Sequence, residues 1–391
     1  MHVLRDVDPD QQILIHSWAD PIEPDALRQA ANLARLSIAR HHIAIMPDVH
    51  VGYGMPIGGV LATDNAVVPN AVGVDIGCGM RAVRTAYNTV EILPHLDTLL
   101  RQVLHDIPTG FSHHRQDQDC ALFRHAPDVS VIQRELAAAR RQLGTLGGGN
   151  HFIEVQKDDQ DRVWVMIHSG SRNFGYKTAK EFHGQAQRWC AREGISLPDK
   201  DLAYLQLDTT AGQEYLAAME YAQQFARENR RLLMAQTLQI VEKQVHTGAC
   251  VIEAELDVHH NYAVWEEHYG QRLLVHRKGA VRARSDDLLI VPGSMGSYSY
   301  ICRGKGEESS FCSSAHGAGR TMGRKEAIRS IPAEQVFREM EEAGILLKKQ
   351  KHSDVAEECK QAYKDIDRVI AQQADLASVV LKLQPLGVVK G

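Results

Sequence analysis

The sequence predicts one large mixed α/β domain, α+β in arrangement, spanning residues 1–391 with mixed sheets and no regular strand–helix repeat. Three observations lead there. Helix-period and strand-period segments interleave along the whole chain. No Ser- or Gly-rich linker divides it into halves. The segments rich in candidate functional side chains are scattered from 48 to 390. Length alone would favour two or three domains, but a chain of 391 residues with 44% hydrophobic content can bury one large core.

Each element has its own signal. Residues 25–40 (DALRQAANLARLSIAR) carry Leu27, Ala30, Leu33 and Ile38 at helical spacing. IAIMP at 43–47 reads as a buried strand ended by proline. From 48 to 80 the chain is rich in Gly, Val and Pro, as in strands joined by tight turns. Residues 130–142 read as a helix, and VWVMIH at 163–168 alternates like a strand. The longest helix candidate runs from Gly212 to Val245 without a proline. LLIVPGS at 288–294 is a strand entering a turn, and 333–343 and 354–373 look helical.

Composition narrows the function. Charged residues are 24% and the net charge is -5, so the molecule as a whole is no electrostatic magnet for nucleic acid or anionic membrane. No run of 18 apolar residues offers a membrane span, and MHVLRDVDPDQQ lacks the apolar run of a signal peptide. Seven scattered cysteines without framework spacing predict free thiols and a cytoplasmic location.

Chemistry gathers in loops. Asp75 and Cys78 lie three residues apart in VGVDIGCGMR, with Gly77 and Gly79 flanking the thiol. His151 follows three glycines in GGGNHFIE, and His168 ends a predicted strand in HSGSR. HHNYA offers His259 and His260, and SSAHGAGR places His316 before small residues. A thiolate can bridge two divalent ions while imidazoles complete the shells. Asp, Cys and His together suit Zn or Mn better than Ca or Mg. No CxxC or HExxH spacing is present. GTLGGGNH is similar to a phosphate loop but lacks its Lys-Ser/Thr ending; the N–H groups of Gly147 to Asn150 still suit an anion nest. Between Arg272 and Lys325 ten Lys/Arg face four acids, a local balance of 10 − 4 = +6, which fits a polyanionic substrate.

In sequence order, MPDVH (46–50), VGVDIGCGM (72–80), LGTLGGGNHFIEV (143–155), HSGSR (168–172) and HHNYA (259–263) together resemble the RtcB family of RNA-splicing ligases. HRKGA (276–280), VPGSMGSYSYI (291–301), HGAGR (316–320), AYKDI (362–366) and VVKG (388–391) extend the resemblance over nearly the whole chain. It implies an RtcB-like ligase domain with a central dinuclear metal cleft. It implies two Mn2+ ions, one on Asp75, Cys78 and His151, the other on Cys78, His168 and His260, so that Cys78 bridges. It implies GTP, with His316 as the nucleophile that takes GMP. The expected nucleotide contacts are Asn150, His151, Phe152, Ile153, Glu154, His260, Asn261, Pro292, Gly293, Ser294, Met295, Ser299, His316, Gly317, Ala318, Gly319, Tyr363 and Lys390.

The implied substrate is RNA with a 3′-phosphate or 2′,3′-cyclic phosphate end and a 5′-hydroxyl end, in tRNA splicing or RNA repair. The cyclic phosphate is opened, GMP passes from His316 to the RNA 3′-phosphate, and the 5′-hydroxyl displaces it. In an extended 150–154 segment Asn150, Phe152 and Glu154 share one face and His151 the other. Glu154 would then accept from guanine N1 and N2, and Tyr363 would stack on the base. Arg172 is expected at an RNA phosphate, and Asp48 and His50 near the metals without an assigned role. His259, His276, His113, His114 and His125 are expected to pack or face solvent. A monomer is expected, with an archease-like activator as an optional partner and no membrane association. The competing reading keeps the two-metal site but makes it a cyclic phosphodiesterase without ligation.

Overall fold

The computed structural model describes residues 1–245 and 250–391. Its architecture is the expected mixed α/β arrangement. Among the described residues the strands form two large sheets and two short ribbons. The six-stranded sheet runs in the order His2–Leu4, Leu14–Ser17, Ala39–His50, Ile57–Thr63, Gln271–Lys278, Asn261–His268. The eight-stranded sheet runs Ile252–His259, Gly79–Asn88, Arg162–Ser169, Phe152–Lys157, Ala377–Lys390, Ser299–Gly304, Leu288–Val291. Its eighth strand, Leu346–Lys349, lies parallel to the end of Ala377–Lys390. The sheets meet where Ile252–His259 passes through His260 directly into Asn261–His268.

The long helix Thr210–Val245 matches the proline-free run. It buries Leu233, Met234 and Val241 in one apolar cluster and Tyr215, Ala222 and Phe225 in another, so one helix braces two parts of the core. Ser130–Gln142, Arg162–Ser169, Leu288–Val291 and Ala333–Glu342 form as their patterns predict.

Four expectations are corrected. The first helix is Pro24–Ala34 and stops well before residue 40. Ile38, which fits the helical pattern, is instead buried in the connection to the next strand. The strand Ala39–His50 runs through Pro47 rather than ending there. Pairing with Ile57–Thr63 is irregular between Ile45 and His50, so the missing proline N–H costs no ladder bond. The segment 48–80, read as strands and turns, also contains the short helix Pro69–Val72. The helix expected over 354–373 is broken into 3-10 turns at Val355–Glu358 and Lys360–Ala362 and a helix at Ile366–Gln372. Asp365 starts that last helix by accepting from the Asp367 N–H at 2.9 Å. No helix among the described residues is long and apolar enough to cross a membrane.

Candidate active site

Four adjacent antiparallel strands bring their ends to one edge of the eight-stranded sheet. Gly79 pairs with His259 on one side and Ser169 on the other, and Phe152 pairs with His168. Cys78 precedes one strand, His168 is near the end of the next, His151 precedes the third and His260 follows the fourth. Registry thus gathers side chains that are up to 182 residues apart in number. Gly79 is required by this packing: a Cβ there would sit 2.2 Å from the Val258 carbonyl oxygen.

The donor atoms converge. Cys78 Sγ lies 3.5 Å from His151 Nε2 and 3.3 Å from His168 Nε2. His168 Nε2 lies 3.4 Å from His260 Nε2, and His151 Nε2 lies 3.3 Å from Asp75 Oδ2. Two triads result, Asp75–Cys78–His151 and Cys78–His168–His260, each with donors within 4.8 Å of one another and with Cys78 common to both. The far nitrogens of two rings are already committed: His151 Nδ1 donates to the Leu146 carbonyl and His168 Nδ1 to the Asn150 carbonyl, each at 3.0 Å. That fixes the tautomer with Nε2 free for a cation. Burial first, and neighbouring imidazoles second, hold His168 and His260 well below the usual histidine range, so both are neutral donors. Burial and then the Asp75 charge push the Cys78 thiol well above its usual value. A thiolate there requires a compensating positive charge, which a cation bound between these donors would supply. Burial opposes ionisation of Asp75, but His151, Cys78 and Arg172 together outweigh it and hold the carboxyl at about 2.

These donors open into a cleft of ≈ 950 Å³. His316 follows the short strand Ser313–Ala315 and faces His260 with ring centroids 4.7 Å apart. Its Nδ1 donates to Asp48 Oδ2 at 2.6 Å, and its backbone N–H donates to the same oxygen at 3.0 Å. Asp48 thereby orients the ring and leaves Nε2 with its lone pair exposed.

Most expected nucleotide contacts line this one cleft: Asn150, Phe152, Glu154, His260, Asn261, the turn Pro292 to Met295, His316 to Gly319, Tyr363 and Lys390. Three do not. Ile153 points into an apolar cluster, as strand alternation requires. His151 turns to the sulfur. Ser299 is buried and connects only through Gln156, whose amide donates to Ser299 Oγ and Glu154 Oε2, both at 3.0 Å. Burial, only partly offset by Lys390, pushes Glu154 up to about 8. Tyr363 donates to Glu358, and Arg320 both donates to the Tyr363 hydroxyl at 2.8 Å and lies 4.8 Å over its ring. Lys390 Nζ lies 3.7 Å from the same Glu358.

Arg172, expected at an RNA phosphate, is half-buried. It donates to Thr145 Oγ1 and to the Gly110 carbonyl, each at 2.8 Å. His50 lines the cleft, while His259 and His276 bond to backbone groups as packing residues. Sequence reasoning missed Glu358, Arg320, Lys278 and the helix residues Asn229 and Arg230. Arg320 ends the HGAGR motif; Glu358 carries no signal, since nothing local distinguishes it from Glu357.

Fold and donor set define a class: a mixed α/β protein whose cleft holds a His/Cys/Asp cluster suited to a metal ion beside a histidine oriented by a carboxylate. Comparison with known proteins gives the family. The family model described as tRNA-splicing ligase RtcB matches residues 29–129 and 113–391. An RNA-splicing ligase RtcB of Escherichia coli (strain K12) is 41% identical over 393 residues, covering 95% of each chain. A tRNA-splicing ligase RtcB of Archaeoglobus fulgidus is 34% identical over 95% of this chain and 92% of its own. An RNA-splicing ligase RtcB of Mycobacterium bovis is 34% identical over 93% of this chain and all of its own. The chain belongs to the RtcB family.

Proposed function

We propose that this chain is a GTP-dependent RNA ligase that joins a 3′-phosphate or 2′,3′-cyclic phosphate end to a 5′-hydroxyl end. The observation that carries the reading is His316 Nε2, presented by Asp48 beside two donor triads that share one sulfur. Family membership and the names of the relatives support RNA ligation as the activity. In this reading two Mn2+ ions occupy the triads and supply Lewis-acid polarisation of phosphate oxygens. His316 Nε2 bonds to the α-phosphorus of GTP as pyrophosphate leaves. The GMP passes to the RNA 3′-phosphate, and the 5′-hydroxyl then displaces GMP and seals the strand. Glu154, Phe152, Tyr363 and Lys390 hold the guanine, with Glu154 accepting from N1 and N2 donors that adenine does not offer. The protein acts as a single catalytic domain and a monomer, with an archease-like activator as an optional partner. A cytoplasmic location accords with seven unpaired cysteines.

Incubation with α-labelled GTP and Mn2+ tests the proposal. The expected result is an acid-labile label on the wild type and none on His316→Ala. Wild type that stays unlabelled while opening cyclic phosphates would transfer the case to the phosphodiesterase reading.

A further inference from the structure

One aromatic ring on the rim of the cleft has no intramolecular role. Tyr53 lines the cleft and is 67% exposed. Among the described residues no ring contact and no side-chain hydrogen bond engages it. Its backbone is held firmly. Gln29 clasps Gly52 from both sides, accepting from its N–H at 3.0 Å and donating to its carbonyl. The buried Lys278 ammonium donates to the Tyr53 carbonyl at 2.7 Å and to the Met55 carbonyl at 2.8 Å. Gly54 closes the turn at φ +67, where a Cβ would sit 2.7 Å from the Asp201 carbonyl oxygen. The chain therefore fixes the main chain of a turn and leaves its aromatic side chain free.

The turn is also tied to the metal donors. Lys278 is followed by Gly279, whose N–H donates to Asn261 Oδ1 at 2.9 Å, and Asn261 in turn donates to the Asp75 carbonyl at 3.1 Å. Val51 and Val74, both exposed, line the same cleft. A flat, solvent-facing ring carried on a fixed turn at the rim of this cleft suits the face of a nucleobase. Single-stranded nucleic acid is bound by such platforms without regard to base identity.

We propose that Tyr53 is the stacking platform for a base of the RNA end that enters this cleft. The inference rests on the ligase reading and adds a base subsite to it. The test uses the manganese-loaded protein without GTP and a short fluorescent oligoribonucleotide ending in a 3′-phosphate, with binding read by anisotropy. A matched oligonucleotide carries abasic sugars at its last positions. Tyr53→Ala should weaken binding of the base-bearing RNA by about 5- to 150-fold, the range that base–aromatic stacking commands. Tyr53→Phe and Tyr53→Trp should keep wild-type affinity. The abasic RNA should bind wild type and Tyr53→Ala alike. Equal weakening of both RNAs, or no weakening of either, overturns the platform; if GTP labelling of His316 persists, the ligase reading survives that result. Wild type that binds neither RNA overturns both.

Discussion

At Glu154 burial outweighs the pull of nearby Lys390, and the sign of the resulting pH effect can be worked out. The native carboxyl titrates at about 8, against an ordinary value of 4.5. Between those values the native protein holds a proton that the unfolded chain has lost, so stability falls as pH rises through the window. Glu154→Gln removes that dependence. Nucleotide-free Glu154→Gln protein should therefore gain thermal stability over wild type progressively from pH 4.5 to about 8, measured by scanning fluorimetry. A difference in melting temperature that stays constant across that window would count against the assignment. The same variant should lose selectivity for GTP over ATP, because an amide N–H clashes with the guanine donors. Single residues were legible here to different degrees. Cys78 and its histidines stood out because thiol, imidazole and glycine are an unusual mixture for turns. Asp48 has no role legible in the sequence, since only the tertiary approach of residues 268 positions apart reveals its bond to His316.

The helix Thr210–Val245 carries the site from behind. Asn229 accepts from the Gly144 and Thr145 N–H groups at 2.7 and 3.1 Å, and donates to the Thr145 carbonyl, Ser169 Oγ and the Gly170 carbonyl. Arg230 donates to the Gly77 and Ser169 carbonyls and pairs with Asp257. One helical turn thus ties together the loops that bear Cys78, His151 and His168. Asn229→Ala leaves several buried backbone groups without partners, and each such group costs about 1–3 kcal/mol. A loss of about 2–4 kcal/mol in urea unfolding is expected, with reduced metal content per chain; a near-neutral result would show that water replaces the side chain. The helix itself was readable from its length and lack of proline. Its partners were not, because hydrophobic periodicity says which face is buried and nothing about which loop a buried amide meets. The broken helix at 354–373 shows the converse. Its apolar spacing is fair, but Asp365 restarts the chain and Glu358 turns inward to Arg320, Tyr363 and Lys390.

At the scale of the molecule, the site stands at the seam between two sheets, and its donor side chains sit at the ends of strands that come together only when the whole architecture is in place. The mixed α/β class was legible; the sheet order was not, because antiparallel pairing over long separations leaves little local trace. A cation that binds only the folded form stabilises it, by about 2.7 kcal/mol at a hundredfold excess over its dissociation constant. Chelation should accordingly lower the melting temperature of the metal-loaded protein, and Mn2+ should restore it, while Cys78→Ala shows neither response. A melting temperature indifferent to chelator would mean that the triads hold no ion in solution. The sharing of Cys78 Sγ by both triads has a last consequence. If both triads were filled, Cys78 would have to give up its thiol proton to the first ion, and a second would share that same sulfur. Loading of the two triads would then be a linked event rather than two independent ones, and an oxidant that reached this single atom would disarm both.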